Sequence, residues 1–297
     1  MTNSPTIKQL RYLLVLSQTR NFTKAAELCF VGQSTLSAGL KELEESLGVQ
    51  LVERDKHSVS LTPIGIGVVA RAKVILGQTD DLVDYAKSST GAMKGMITFG
   101  VIPTIAPFVL PWLLPKMRLN YPELKIIPRE DLTVNLIDKL GRHELDFVLI
   151  ALPYPTEGYL IKEIFDDEFW LVGKPDDPVL KNKDVQLTNK MSDQILFLEE
   201  GHCLREHALK ACKRSALPAD ALEATSLLTL VQMIESGLGL ALLPEMAIKG
   251  GILKQTKLIA RPLASPAPKR RIALMARLTT ARIEAFNALV QTLKAWP

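Results

Sequence analysis

Two of the chain's three cysteines and two of its four histidines fall in one short run, GHCLREHALKAC, residues 201–212. If the run is the short helix it resembles, Cys203 and Cys212 have Cα atoms roughly 13 Å apart and face opposite sides. A disulfide needs Cα atoms within about 7 Å. Three chemistries compete for such a segment. The plainest is a surface helix with incidental cysteines. The second is a metal site built from His202, Cys203, His207 and Cys212. Cys203 and His207 stand at i, i+4 and could share an ion, but Cys212 turns away and no CxxC or HxxxH pair completes the set. The third is a redox switch. A thiolate is the reactive form, and the helix N-terminus with the adjacent His202 and Arg205 is expected to favour it at Cys203. Attack on a peroxide would give a sulfenic acid, which a second thiol converts to a disulfide. Cys212 is the candidate nearby, and joining the pair requires the helix to unwind. That would be a covalent trigger for a change of shape.

The elements that must position this segment alternate between strand and helix. Strands are predicted over Met96–Ile102, Leu124–Pro128, Leu145–Ala151, Phe169–Gly173, Ile195–Leu198, Leu238–Leu243 and Ile272–Ala276. Helices are predicted up to Asn120, over Val134–Arg142, Leu204–Cys212 and Leu227–Ser236 (capped by Ser226), and over Thr280–Trp296. The alternation predicts an α/β fold with largely parallel sheets covered by helices. Two lobes, with the chain's end returning to the first, would leave a cleft in which a small molecule could bind beyond the strand ends. Asp166-Asp167 and Glu199-Glu200 read as solvated loop charges, and Trp112, Trp170 and Trp296 as packing. The sequence holds no GxGxxG after a strand, no P-loop and no GxSxG, so no cofactor and no enzyme of those classes is expected.

A chain of 297 residues, 47% hydrophobic and 23% charged, has the composition of a folded two-domain protein. The polar start, MTNSPTIKQL, lacks the apolar core of a signal peptide. The most apolar stretch, residues 100–115, is short and interrupted by prolines, so no membrane partner is expected. These features predict a cytoplasmic protein whose thiols are kept reduced, where any cysteine pairing is transient and chemical. The net charge is +4. Residues 1–62 hold seven Lys/Arg against six Asp/Glu, so charge alone does not identify a nucleic-acid binder.

Pattern says more than charge here. Residues 6–18 place Ile7, Leu10, Leu13, Leu14 and Val15 largely on one helical face. Thr23 is a candidate N-cap for a second, short helix ending near Cys29, which reads as core. After a brief turn, Leu36, Leu40, Leu43 and Leu47 make the stripe of a third helix that Gly48 stops. Its other face carries Gln33, Ser34, Thr35, Ser37 and Lys41. Short helix, tight turn and longer helix with small polar residues at its start make a helix-turn-helix, whose second helix can approach base edges and phosphates. LVERDKHSVSLT (51–62) reads as two strands around a tip, a wing carrying Arg54, Lys56 and His57. Thr62-Pro63 opens a long helix to about Lys87 whose apolar positions, Ile66, Val69, Val74, Leu76, Leu82 and Val83, need a partner surface. Three domains are thus expected: 1–62 for DNA, 63–95 as linker helix, dimerisation element and hinge, and 96–297 as an α/β domain, which the resemblance described next makes the effector domain.

The segment TKAAELCFVGQSTLSAGLKELEESLGVQLVERDKHSVSLTPIG (23–65) resembles the winged helix-turn-helix of the LysR-type transcriptional regulators. It keeps the alanine pair, the polar SQ-T-S stretch, the LE-LG run and the T--G helix start. It departs at Gly32, where Ser is common, and at Val52, where Phe is common. The resemblance implies double-stranded promoter DNA and RNA polymerase as partners, a dimer or tetramer, and a periplasmic-binding-protein-like effector domain of two lobes. LEEGHCLR (198–205), ATSLLTL (224–230), GVIPT (100–104) and KRRI (269–272) further resemble the members of that family that sense hydrogen peroxide. Carried onto this chain, that likeness makes Cys203 the peroxide-reacting thiol and Cys212 the resolving one. It assigns His202 to thiolate support, Thr104 and Thr133 to polar contacts with the peroxide, and Arg270 to a stabilising charge for which Lys269 and Arg271 compete. His207 and Lys210 lie between the cysteines as chain-specific departures. The rival readings are a regulator that binds a small organic effector in the cleft, with idle cysteines, and a thiol peroxidase, for which a helix-turn-helix would have no use.

Overall fold

The structure is a computed structural model that describes residues 4–54, 59–88, 93–217 and 221–297. Contacts divide the chain into two units, Met1–Thr90 with Gly141–Glu144, and Gly91–Leu140 with Leu145–Pro297. The first holds helices α1 (Ile7–Thr19), α2 (Phe22–Leu28) and α3 (Gln33–Leu47), the antiparallel pair β1 (Val52–Arg54) and β2 (Val59–Leu61), and the long helix α4 (Pro63–Ser88). The predicted wing is thus present, while its tip, with Lys56 and His57, lies outside the described residues. Thr6 and Gln9 close a reciprocal capping box on α1. The cap of α2 is Asn21, not Thr23: the Asn21 side chain accepts from the Lys24 amide at 3.0 Å, and Thr23 falls inside the first turn. Leu10, Leu13, Leu16, Leu36, Leu40 and Leu43 bury against one another, but Leu47 at the end of the predicted stripe is exposed.

Three features of the LE-LG and T--G patterns have direct physical causes. The Glu44 carboxylate accepts from the amides of Leu51 and Val52 at 2.7 and 3.0 Å, tying the first wing strand to α3. The Thr62 hydroxyl accepts from the Gly65 amide at 2.9 Å and donates to the Gln50 carbonyl at 2.8 Å, so it caps α4 and closes the wing together. Gly65 runs so close to this turn that a Cβ would overlap the Leu51 carbonyl oxygen. On α4, Val69, Ala72 and Leu76 are buried in this unit, whereas Ile66, Leu82 and Val83 remain exposed.

The second unit contains β3 (Gly95–Val101), α5 (Ala106–Asn120), β4 (Leu124–Glu130), α6 (Thr133–Gly141), β5 (Phe147–Leu152) and β6 (Tyr159–Gly173). Then follow a 3-10 turn (Pro178–Lys181), α7 (Asn189–Ser192), β7 (Phe197–Leu198), α8 (Cys203–Ala211), β8 (Glu223–Ala224) and α9 (Leu227–Glu235). The chain closes with β9 (Ala241–Pro244), α10 (Glu245–Lys249), β10 (Ile259–Pro262), β11 (Lys269–Arg277) and α11 (Ile283–Lys294). The α/β class and the two hydrophobic cores hold. The expectation of largely parallel sheets does not. Among the described strands, β3 with β4, β3 with β5, and β7 with β8 pair in parallel, whereas β6 and β11 pair antiparallel to every neighbour. The cause is the path of the chain. β6 leaves the first core and runs into the second, and β11 brings the chain back alongside it.

β6 is also three times the length the sequence suggested. Its first ten residues pair with β11 and its last five with β9 and β10. Lys162, Glu163, Asp166 and Glu168 interrupt the apolar pattern of that first part, and it reads as a loop. Asp166 and Asp167 are therefore strand residues, one facing out and one facing in, rather than a solvated loop pair. For the winged unit, we predict that Gly65→Ala costs about 1–3 kcal/mol of stability through overpacking. A thermal or urea melt followed by circular dichroism checks it, and an unchanged midpoint would contradict the close approach to Leu51.

Candidate functional site

Cys203 opens α8, with His202 as its N-cap residue and no side chain capping the helix. Loops at the ends of β3 and β4 bring two hydroxyls to the neighbourhood: Thr104 follows β3, and Thr133 starts α6 after β4. Both are buried. The Thr133 hydroxyl lies near enough to the Cys203 thiol to lower its pKa. Its oxygen is buried and makes no hydrogen bond. The half-buried Cys203 side chain packs against the core of the first lobe, whereas Cys212, the C-cap of the same helix, is buried in the core of the second. Both thiols are free. Nine helical positions hold them about 13 Å apart.

Arg270 anchors the site. It is fully buried, and its guanidinium donates to Asp167 Oδ2 at 3.0 Å, Thr104 Oγ1 at 2.7 Å and the Thr104 carbonyl at 3.1 Å, with Met246 Sδ at 3.4 Å. Asp167 Oδ1 accepts from the Met246 amide at 3.0 Å. A buried charge is tolerated only when paired and hydrogen-bonded in this way. The alternation of β11 decides the competition among the three basic residues. Arg270 faces in, directly across from Asp167 in register, while Lys269 and Arg271 face out to Asp166 and Glu163.

The electrostatics of the thiol differ from the sequence-based expectation. Burial is the largest influence on Cys203 and pushes its pKa up. The charge of Arg270, the Thr133 hydroxyl and the amides of Leu204 and Cys203 pull it down without cancelling that effect. The resting thiol is therefore protonated at neutral pH, and the Arg270 charge and the helix amides are placed to stabilise a thiolate when one forms. Arg205 supplies no free charge, since it pairs with Glu223 at 2.8 Å. His202 is held neutral by burial, partly offset by its hydrogen bond to the Thr225 backbone and by the charge of Glu199. Its imidazole is directed to that backbone group. Burial also raises the pKa of Cys212, opposed by the Ser192 hydroxyl. Cys29 packs at the edge of the winged unit's core, as the pattern suggested, and burial raises its pKa too.

At the other unit, Gln33, Ser34 and Thr35 are exposed at the start of α3, with Ser37 half-buried and Lys41 exposed one turn further. Gln33 Oε1 accepts from Thr23 Oγ1 at 3.1 Å, which links the starts of α2 and α3. Gly39, on the inner face of α3, lies against the Tyr12 ring, where a Cβ would stand 3.0 Å from two ring carbons. Arg54 ends β1. This is the geometry of a recognition helix beside a wing.

Residues 7–66 match the bacterial regulatory helix-turn-helix protein, lysR family, and residues 90–297 match the LysR substrate binding domain. The chain belongs to the LysR family. It is a DNA-binding transcriptional regulator and not an enzyme. It is 40% identical over 296 residues to the HTH-type transcriptional regulator EstR of Acinetobacter baylyi, covering 99% of this chain and 98% of that one. It is 32% identical over 290 residues to the dual regulator OxyR of Escherichia coli, covering 97% and 95%. A full-length OxyR of Pseudomonas aeruginosa carrying a cysteine-to-aspartate substitution superposes with a TM-score of 0.82 at 34% identity, over 99% of this chain and 96% of that chain. A peroxide-bound OxyR mutant of Corynebacterium glutamicum gives a TM-score of 0.65 at 30% identity, covering 99% and 93%.

Within this LysR-family chain, the structure brings Cys203, Thr133, Thr104 and Arg270 together, with His202 adjacent but bonded elsewhere and Cys212 held away. Asp167 and Met246 escaped the sequence reading. The inward register of Asp167 opposite Arg270 would have exposed it, had residues 159–168 been recognised as strand. Two substitutions test this construction. Asp167→Ala strands a buried guanidinium and should cost about 3–5 kcal/mol in urea unfolding of the full chain. Thr133→Val should leave stability within about 1 kcal/mol, because the orphan oxygen goes with it. It should also raise the Cys203 pKa further, read as slower iodoacetamide labelling of Cys203 between pH 7 and pH 9.

Proposed function

We propose that this regulator senses hydrogen peroxide in the cytoplasm through Cys203, and that a Cys203–Cys212 disulfide remodels the effector domain. The observation that carries the reading is a helix that begins with one thiol and ends with another. The first sits among Thr133, Thr104 and Arg270; the second is anchored in a different core. Cys203 sulfur attacks one peroxide oxygen, the O–O bond breaks, and a water leaves with the thiol proton and the second oxygen. Cys212 sulfur then attacks the sulfenic sulfur, the S–O bond breaks, and a second water leaves. Arg270 and the helix amides stabilise the sulfur's charge, Thr104 and Thr133 orient the peroxide, and His202 supports the thiolate. Because α8 separates the thiols, the second step requires it to unwind, and the oxidised chain is a differently folded one.

Residues 1–62 are the DNA-binding domain, with Gln33, Ser34, Thr35 and Ser37 at base edges and Lys41, Arg54 and Lys56 on phosphates. Residues 63–95 dimerise the protein, consistent with the exposed Ile66, Leu82 and Val83, and residues 96–297 couple the thiol state to a dimer or tetramer that engages RNA polymerase. The identity to EstR, an HTH-type transcriptional regulator whose name mentions no peroxide, favours a second reading in which the effector domain takes a small organic molecule and the cysteines are idle. Stoichiometric peroxide separates the two. It should remove two thiols per chain, yield a Cys203–Cys212 peptide by mass mapping and leave Cys29 reduced. Cys203→Ser should lose the peroxide response of promoter binding; a normal response in that variant would sink the sensing reading.

A further inference from the structure

His207 lies between the two thiols, one turn beyond Cys203 and on the same face of α8. It is 6% exposed, and its buried Nδ1 has no hydrogen-bond partner. A buried, unsatisfied ring nitrogen is uncommon and disfavours the state that contains it. The charged groups acting on the ring are both cations, Arg270 from β11 and Lys210 from α8 itself. The imidazole is therefore confined where a positive charge is excluded by burial and repelled by its neighbours. Joining Cys203 to Cys212 breaks up the helix that confines it.

We propose that His207 links the thiol switch to protons: opening α8 to form the disulfide releases a buried neutral imidazole into water, where it takes up a proton, so in acid the disulfide state is more favoured than the two thiols alone would make it. The inference rests on the disulfide reading above. Burial first, then Arg270 and Lys210, push the His207 pKa down to about 4 in the closed helix. A solvated histidine titrates near 6.5. The sign follows from linkage. Between those two values the opened state binds one more proton than the closed state, so it gains as pH falls through that window, and neither state gains above it. Forming the disulfide releases two electrons and two protons from the protonated thiols to an oxidant, such as peroxide. In the acid window one proton is taken up again at His207. From pH 7 to pH 5 the disulfide state should gain about twentyfold from this residue. For a two-electron couple that is roughly 40 mV.

The test is a redox titration of the full chain in dithiothreitol buffers at several pH values between 5 and 8, for the wild type and for His207→Gln. The variant's midpoint should move by about 59 mV per pH unit throughout, and the wild type's slope should fall towards about 30 mV per unit below pH 6. Parallel lines, with the disulfide present in both proteins by intact mass, overturn this inference alone. Absence of the disulfide in both overturns the sensing mechanism and the inference with it. Should His207→Gln fail to fold, NMR titration of the His207 ring in the wild type decides the matter. A ring that titrates below pH 5 when reduced and near 6.5 when oxidised supports the proposal, and equal values in the two states overturn it.

Discussion

The ion pair between Arg270 and Asp167 sits where β6 passes from one core of the effector unit to the other. Each partner is too costly to bury alone, so the pair fixes its surroundings as well as itself. Asp167 offers its second oxygen to the Met246 amide at the start of α10, and Arg270 donates further to Thr104 and to Met246 Sδ. In this way one buried cation positions the loop after β3 and sets the field around Cys203. The same charge repels a proton from His207. Thiol, hydroxyls and imidazole all depend on a guanidinium that none of the local sequence around the cysteines contains.

The thiol is governed by opposing influences, of which burial is the largest. Desolvation favours the neutral sulfur, while the guanidinium, the Thr133 hydroxyl and the helix amides favour the charged one, and burial prevails at rest. An uncharged thiol in a closed helix is a stable resting state, whereas the groups that stabilise its anion are already in place and need no reorganisation. The second cysteine is insulated by packing in another core. Separation of the two sulfurs is thus a property of both the helix and the cores that grip its ends, and any covalent link between them must disturb all three.

The winged unit follows a simpler logic. Its motif residues are structural couplings: Glu44 ties the wing to α3, Thr62 closes the wing onto α4, and Gly65 permits the approach of those two elements. Buried leucines fix the inner face of α3, which leaves Gln33, Ser34 and Thr35 outward by default. Because these interactions connect residues within a few turns of one another, their pattern survives in the linear sequence.

That difference in range separates what the sequence determined from what the tertiary structure decided. Local periodicity and spacing fixed the helix-turn-helix, the wing, the α/β alternation and the helix that holds the thiols apart, since each depends on neighbours a few residues away. The antiparallel course of β6 and β11, the burial of Asp167, the choice of Arg270 over Lys269 and Arg271, and the raised pKa of Cys203 depend on pairings across a hundred or so residues. Charged residues on the outer face of β6 hid the strand from pattern reading. Desolvation at Cys203 has no local signature at all, because it is set by everything that packs around the sulfur. The sequence could name the groups, and only the fold could set their balance.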